Sequence, residues 1–273
     1  MTGSMAKVQE QKPKTFTEVL SIIEQFRGSG DEPLWYRGCG RSDHKLQPTL
    51  YRHRSVKKTP ALANLERRLL TRFRQRGIPF HDRDLTDDWD ALFFMQHYGV
   101  PTRLLDWTES PFVALYFALM DCPFELRKNG KPRFLTAASV WILKPIRWNR
   151  HALRNVSYAG GIIAPGDEAL KGHRSTPDFS GMNISPVAVY GAYNSPRIVA
   201  QRGAFTIFGQ STSPMEKIFD DEDFPEDFLI KVTILPSVVP TMRESILNHG
   251  VTESVVFPDL TGLALEIKRF FDF

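Results

Sequence analysis

The sequence predicts an α+β fold: a single domain on a mixed or antiparallel sheet, with a helical insertion. Three observations carry that expectation. Helical signatures crowd the first half of the chain and β-branched or aromatic runs the second, an order that suits α+β better than alternating βαβ units. One early strand, Leu34-Trp35-Tyr36-Arg37-Gly38, precedes most of the helices, so residues 50–98 read as a helical insertion packed on the sheet. No proline- or serine-rich linker divides the chain, and 273 residues with 20 Phe and 42% hydrophobic content suffice for one large core. Residues 1–14 are set apart as a disordered N-terminus or, at Met1-Thr2-Gly3-Ser4-Met5, an expression remnant, and residues 15–273 form the domain.

The elements follow from local chemistry. Thr15 and Glu18 form a capping box, Phe16, Val19, Leu20, Ile23 and Phe26 make an apolar stripe, and Gly28 suits the C-terminal cap, so residues 15–28 are a helix. Thr59 as N-cap with Pro60 opens a second helix over 61–76. A third runs over 88–98 and stops at Gly99 and Pro101. Ser110 and Pro111 open a fourth that reaches Met120 and is apolar on nearly all sides, hence buried. Strands are expected over 134–143, 187–192, 197–208 and 228–235. Loops cover 155–186 and the acidic stretch 220–227, and two short helices close the chain near 241–249 and 259–270.

Several function classes lose support. The longest apolar run, residues 111–120, is too short to span a bilayer, and the N-terminus shows no apolar signal segment, so a cytoplasmic protein is the default expectation. Cys39 and Cys122 cannot make a disulfide framework and read as reduced thiols. No histidine pair has metal spacing. Phosphate-loop, dinucleotide-fingerprint and nucleophile-elbow motifs are absent. Net charge is +4, compatible with anionic ligands. Arg67, Arg68, Arg72, Arg74 and Arg76 make one helix basic. That run reads as a solvated face first and a nucleic-acid surface second.

Three stretches carry candidate chemistry. In Trp35-Tyr36-Arg37-Gly38-Cys39-Gly40, a strand arginine followed by glycine suits a phosphate or carboxylate, the guanidinium forking onto the anion and glycine allowing close approach. A structural arginine paired with a buried acid fits the same pattern. In residues 96–111, polar and aromatic groups crowd before a buried helix, whose free N–H groups place Thr108 and Ser110 where an anion can dock. Ser110 serves equally as an N-cap, His97 as a cap or a base, and Arg103 with Asp106 as a simple ion pair. In residues 196–206, Gln201 and Gly203 sit inside an expected strand, with Gln201 either a ligand contact or a surface amide.

At these residues the sequence resembles the FRG domain family. Tyr36-Arg37-Gly38 matches its aromatic-Arg-Gly motif, and Gln96-His97-Tyr98-Gly99-x-Pro101-Thr102-Arg103-Leu104-Leu105-Asp106-Trp107-Thr108-x-Ser110-Pro111, extended by residues 114–118, its longest block. Arg197-x-x-x-Gln201-x-Gly203-x-Phe205 matches its late motif. The likeness spans residues 31–208 and makes 15–273 an FRG-type domain. The motif order also resembles the Arg-Ser-Glu class of ADP-ribosyltransferases, which implies an ADP-ribosyltransferase-like sheet and an NAD pocket. That resemblance implies that Arg37 with Gly38 holds the pyrophosphate, that Thr108 and Ser110 orient the nicotinamide ribose, that Tyr36 or Tyr116 stacks on a ring, and that Gln201 contacts the ribose hydroxyls. The class's last glutamate corresponds to Gly203, or to Gln201 in a shifted register, so its carboxylate is missing. Glu109 and Asp106 are the replacements, with Arg37, Glu109 and Gln201 the catalytic set. The reaction implied is NAD cleavage with transfer to a macromolecule or to water. The alternative is a non-catalytic FRG-type module that binds a nucleotide or another anion.

Overall fold

In the computed structural model, residues 8–191 and 195–273 are described. Helix α1 (Phe16–Arg27) starts at its capping box: Thr15 accepts the Glu18 amide at 3.1 Å, while the Glu18 carboxylate accepts the Lys14 amide, one residue before the usual partner. Helix α2 (Thr59–Gly77) takes Lys58 rather than Thr59 as its N-cap, with no side-chain bond there. Helix α3 (Asp88–His97) is capped by Asp87, and α4 (Pro111–Met120) by Ser110, whose hydroxyl accepts the Val113 amide.

Seven strands make one sheet. They are β1 (Gln9–Gln11), β2 (Trp35–Cys39), β3 (Leu104–Thr108), β6 (Ala138–Leu143), β7 (Val187–Val189), β8 (Gly203–Ile207) and β9 (Leu229–Ile234). Their order is β1-β9-β6-β2-β3-β8-β7. The β1–β9 pair is parallel and the others antiparallel, so the sheet is mixed. Strands β4 (Phe124–Leu126) and β5 (Pro132–Phe134) form a separate hairpin. Strands β6 and β2 pair along the full length of β2, as do β3 and β8 along β3, but β2 and β3 share only the pair Tyr36 and Thr108. Beyond that pair the two central strands part.

Four expectations are corrected. Residues 9–11 are not part of a disordered leader: they pair with Ile230 to Val232, and the Val8 amide donates to Asp220 Oδ1 at 3.0 Å. Residues 197–200 are not strand but helix α6 (Pro196–Ala200), because Ser195 caps it by accepting the Ile198 amide and Pro196 pre-sets its first turn. Only after a turn at Gln201 and Arg202 does β8 begin. The stretch 134–143 is broken between β5 and β6, and the acidic segment begins inside helix α7 (Met215–Asp221). Helices α5 (Pro145–Ala152) and α9 (Glu253–Val256) were not foreseen, while α8 (Val239–Asn248) and α10 (Leu260–Phe270) fall where the two closing helices were expected.

The sheet buries both faces. On one, Trp35, Cys39, Leu105, Trp107 and Trp141 pack against α5, α7 and the 155–186 segment, whose Phe179 and Met182 are core residues. The other face is divided. Tyr36, Val140 and Ile142 lie under α1, α4 and α8, while Leu104, Phe205 and Ile207 lie under α2 and α3. The dividing line runs along the parting of β2 and β3, between α3 and α4. No helix among the described residues is long and apolar enough to cross a membrane.

Candidate functional site

A cleft of about 680 Å³ occupies this dividing line. That size falls within the range of small-molecule sites. Its floor is Gly38, Asp106 and Thr108. One wall is α4, through Ala114 and Phe117, with Asp121 at its end. The other is the last turn of α3, through Gln96, His97 and Tyr98, and Arg197, Ile198 and Gln201 close the remaining side.

Arg37 enters from an unusual direction. By strand alternation its side chain leaves β2 opposite to Tyr36 and Gly38. Yet its Nη1 donates to the Asp106 carbonyl oxygen and lies 3.8 Å from Asp106 Oδ2. The guanidinium therefore passes through the gap where β2 and β3 separate, standing in for ladder bonds the strands no longer make. Its Nε is buried with no acceptor.

Asp106 is better placed than its neighbours suggest. The expected ion pair with Arg103 does not form: the Asp106 side chain is 56% exposed in the cleft. Gln96 Nε2 donates to both of its oxygens at 2.9 Å, and Gln96 Oε1 in turn accepts the Thr102 hydroxyl. Arg103 is fully buried instead, with Nε donating to Glu66 Oε1 at 2.7 Å and Nη1 and Nη2 donating to the carbonyls of Phe208 and His173.

The remaining sequence candidates separate into two groups. Tyr36, Arg37, Gly38, Thr108 and Gln201 line the cleft; Glu109, Ser110 and Tyr116 do not. Glu109 Oε1 accepts the Tyr190 hydroxyl at 3.2 Å. Ser110 spends its oxygen on the helix cap, and the α4 N-terminus does not line the cleft. Tyr116 is 4% exposed and packs on Phe257, with burial pushing its phenol up to about 12. Of those that line the cleft, Tyr36 is fully buried, its phenol likewise pushed up to about 12 by burial, and offers no face to a ring. Gly38 is held by contact with α4, because a Cβ there would overlap the Ala114 carbonyl oxygen. Thr108 donates to the Gln201 carbonyl and accepts the Ser110 amide. Gln201 caps α6, and its amide donates to the Val256 carbonyl at 3.1 Å.

The structure adds residues to which the sequence reading assigned no role, and places His97, a cap or a base by sequence, among them. Phe117, one position beyond Tyr116, turns into the cleft because successive helix positions differ by about 100°. Tyr98 is 64% exposed at the opposite rim, so these two offer ring surfaces. Burial, then the Arg197 and Arg83 guanidiniums, hold the His97 imidazole below its usual range, so it is neutral at pH 7. Asp121 stands at the open rim, yet the chain crowding it raises its carboxyl above the usual range. Arg197 lies with its guanidinium 4.9 Å from the centre of the Phe257 ring. Asp121 carried no local signal in the sequence; the others lay inside the quoted motifs, where only the fold says which side chains converge.

A family model, the FRG domain, matches residues 32–123. That span holds β2, α2, α3, β3 and α4, hence the floor of the cleft and both helical walls. Arg197, Gln201 and Phe205 lie outside it. No curated protein and no solved structure matches the chain.

Proposed function

We propose that the cleft binds NAD and cleaves it in the manner of an ADP-ribosyltransferase, passing ADP-ribose to a macromolecule or to water. The observation that carries this reading is Arg37, whose side chain is 22% exposed at the floor of the cleft where the sheet splits, its Nη1 beside Asp106. The planar fork of an arginine suits a pyrophosphate oxygen, and the exposed part of this guanidinium is open to one.

Asp106 takes the part of the missing late-strand glutamate. Gly203 pairs with Thr108 across β3 and β8, so Asp106 is its diagonal neighbour on the same face. Cleavage breaks the bond between ribose C1′ and the nicotinamide nitrogen. The bonding pair leaves with nicotinamide and positive charge builds on the ribose, where a carboxylate is worth most. A lone pair of the acceptor then forms the new bond to C1′, and its proton needs a base; His97 is the neutral imidazole of the cleft. Phe117 and Tyr98 replace Tyr36 and Tyr116 as the ring surfaces.

One observation favours the second reading, a non-catalytic nucleotide- or anion-binding module. The Asp106 carboxylate already accepts two bonds from Gln96 and faces Arg37, so its charge is partly committed. Nicotinamide release from NAD decides between them. For an enzyme, Asp106→Asn lowers release by about 100-fold or more while NAD affinity changes little, because the carboxylate acts in the transition state. Binding without release by the unaltered protein establishes the module. Full activity in Asp106→Asn moves the carboxylate elsewhere, to Asp121 first.

A further inference from the structure

Helix α2 turns an arginine-rich face to solvent. Asn64, Arg67, Arg68, Thr71, Arg72 and Gln75 are all exposed, and a shallow groove of about 570 Å³ runs among them. The one acid of the helix, Glu66, is 1% exposed and spent on Arg103. Arg74 pairs with Asp88, but Arg67, Arg68, Arg72 and Arg76 have no ion pair or hydrogen bond among the described residues. Arg68, Arg72 and Arg76 follow one another at four-residue spacing, an arrangement of like charges that weakens a helix. A face kept only for solubility would intersperse acids along that ladder. The cations are also all arginine, the side chain whose planar fork fits phosphate, and Asn64, Thr71 and Gln75 between them are neutral groups of the kind that contact phosphate, sugar and base edges.

We infer that this face of α2 docks on the phosphate backbone of a nucleic acid. A membrane surface fits less well. The apolar side of α2, Leu62, Ala63 and Leu70, is buried in the core, and only the half-buried Leu65 and Leu69 reach the groove, too little apolar surface to enter the acyl boundary. The exposed Ile78 and Phe80 follow the end of the helix rather than run along it, and an aromatic beside arginines suits a stacked base. The inference is independent of whether the cleft cleaves NAD.

Fluorescence anisotropy with a labelled single strand and a labelled duplex, each of about 20 nucleotides per strand, over about 50 to 200 mM KCl, provides the test. The full chain should bind at least one of them, with log K falling linearly in log salt. Arg67→Gln, Arg68→Gln and Arg72→Gln combined should weaken binding by about 10-fold or more and flatten the slope by about 2 to 3, since each phosphate contact contributes about 0.7 to 0.9. The three sites are exposed, and circular dichroism verifies the fold. The corresponding triple lysine variant keeps the slope, and neutralising Lys128, Lys131 and Arg133 on the β4–β5 hairpin changes nothing. Absence of salt-sensitive binding to either probe overturns the inference, as does equal binding by the triple Gln variant. Binding to phosphatidylserine vesicles but to neither nucleic acid also overturns it and makes the face a membrane contact.

Discussion

A Cβ built on Gly38 would overlap the carbonyl oxygen of Ala114, so α4 can lie on β2 only if that residue is glycine. The sequence reading took this glycine as room for an anion; the structure makes it room for a helix. Gly38→Ala should destabilise by about 3 kcal/mol or more, measured by urea unfolding, because the obstacle is backbone rather than a movable side chain. Arg103 and Glu66 are a second case. Both are buried, and Arg103 also satisfies the Phe208 and His173 carbonyls. Arg103→Met should cost about 3–5 kcal/mol by leaving Glu66 uncompensated, and adding Glu66→Leu should recover much of it. Little recovery would show that the two carbonyls, not the charge, govern the loss. His173, beside this pair, titrates in a measurable window. Burial lowers its imidazole from the usual 6.5 to about 4, and its Nε2 donates to the Ser185 carbonyl at 2.9 Å. The unfolded chain takes up the proton first as pH falls, so stability is complete above about 6.5 and declines toward pH 4, by about 3 kcal/mol in all. His173→Gln should remove that component from the pH profile of unfolding; an unchanged profile would reject it.

At the scale of elements, what was legible was what declares itself locally. Thr15 with Glu18 and Ser110 with Pro111 mark helix starts through bonds to their own neighbours, and those starts were found. Ser195 with Pro196 carries the same signal, but the β-branched Ile198 and Val199 behind it favour strand locally, and the cap prevails only over the five residues of α6. Gln9–Gln11 was invisible for a different reason. Three polar residues have poor strand propensity, and they become a strand only because β9 offers a free edge and Thr233 donates to Glu10 Oε1 at 2.6 Å. Burial and that hydrogen bond oppose each other at Glu10, and the bond prevails, holding its carboxyl below the usual range. Deleting residues 1–14 should therefore lower stability by about 1–3 kcal/mol and expose the β9 edge to association, seen as concentration-dependent light scattering. A truncated chain as stable and as monodisperse as the full one would show that β1 is a passive addition to the sheet.

Across the whole molecule the sheet is two blocks, β1-β9-β6-β2 and β3-β8-β7, joined at one residue pair and by the reach of Arg37. The three motifs that made the cleft conceivable come from both blocks, which is why their convergence was legible from motif order while the orientation of Glu109, Tyr116 and Ser110 was not: one residue of rotation decides whether a side chain faces the cleft or the core. A ligand held by Arg37 on one side and Asp106 on the other would bind across the joint. It would bind the folded chain alone, since the joint does not exist in the unfolded one. By mass action, NAD at about 100 times its Kd should add about 2.7 kcal/mol to the unfolding free energy, which for a chain of this size raises Tm by roughly 5–10 °C. Arg37→Lys keeps the charge but loses the planar fork, so at the same NAD concentration the rise should shrink markedly, while the ligand-free Tm changes less. Differential scanning calorimetry with and without NAD measures both. If the two proteins gain equally, the guanidinium serves the joint of the sheet and not the ligand. If neither gains at saturating NAD, the cleft does not take NAD, and the same scan with inorganic pyrophosphate identifies whether it takes a two-phosphate ligand at all.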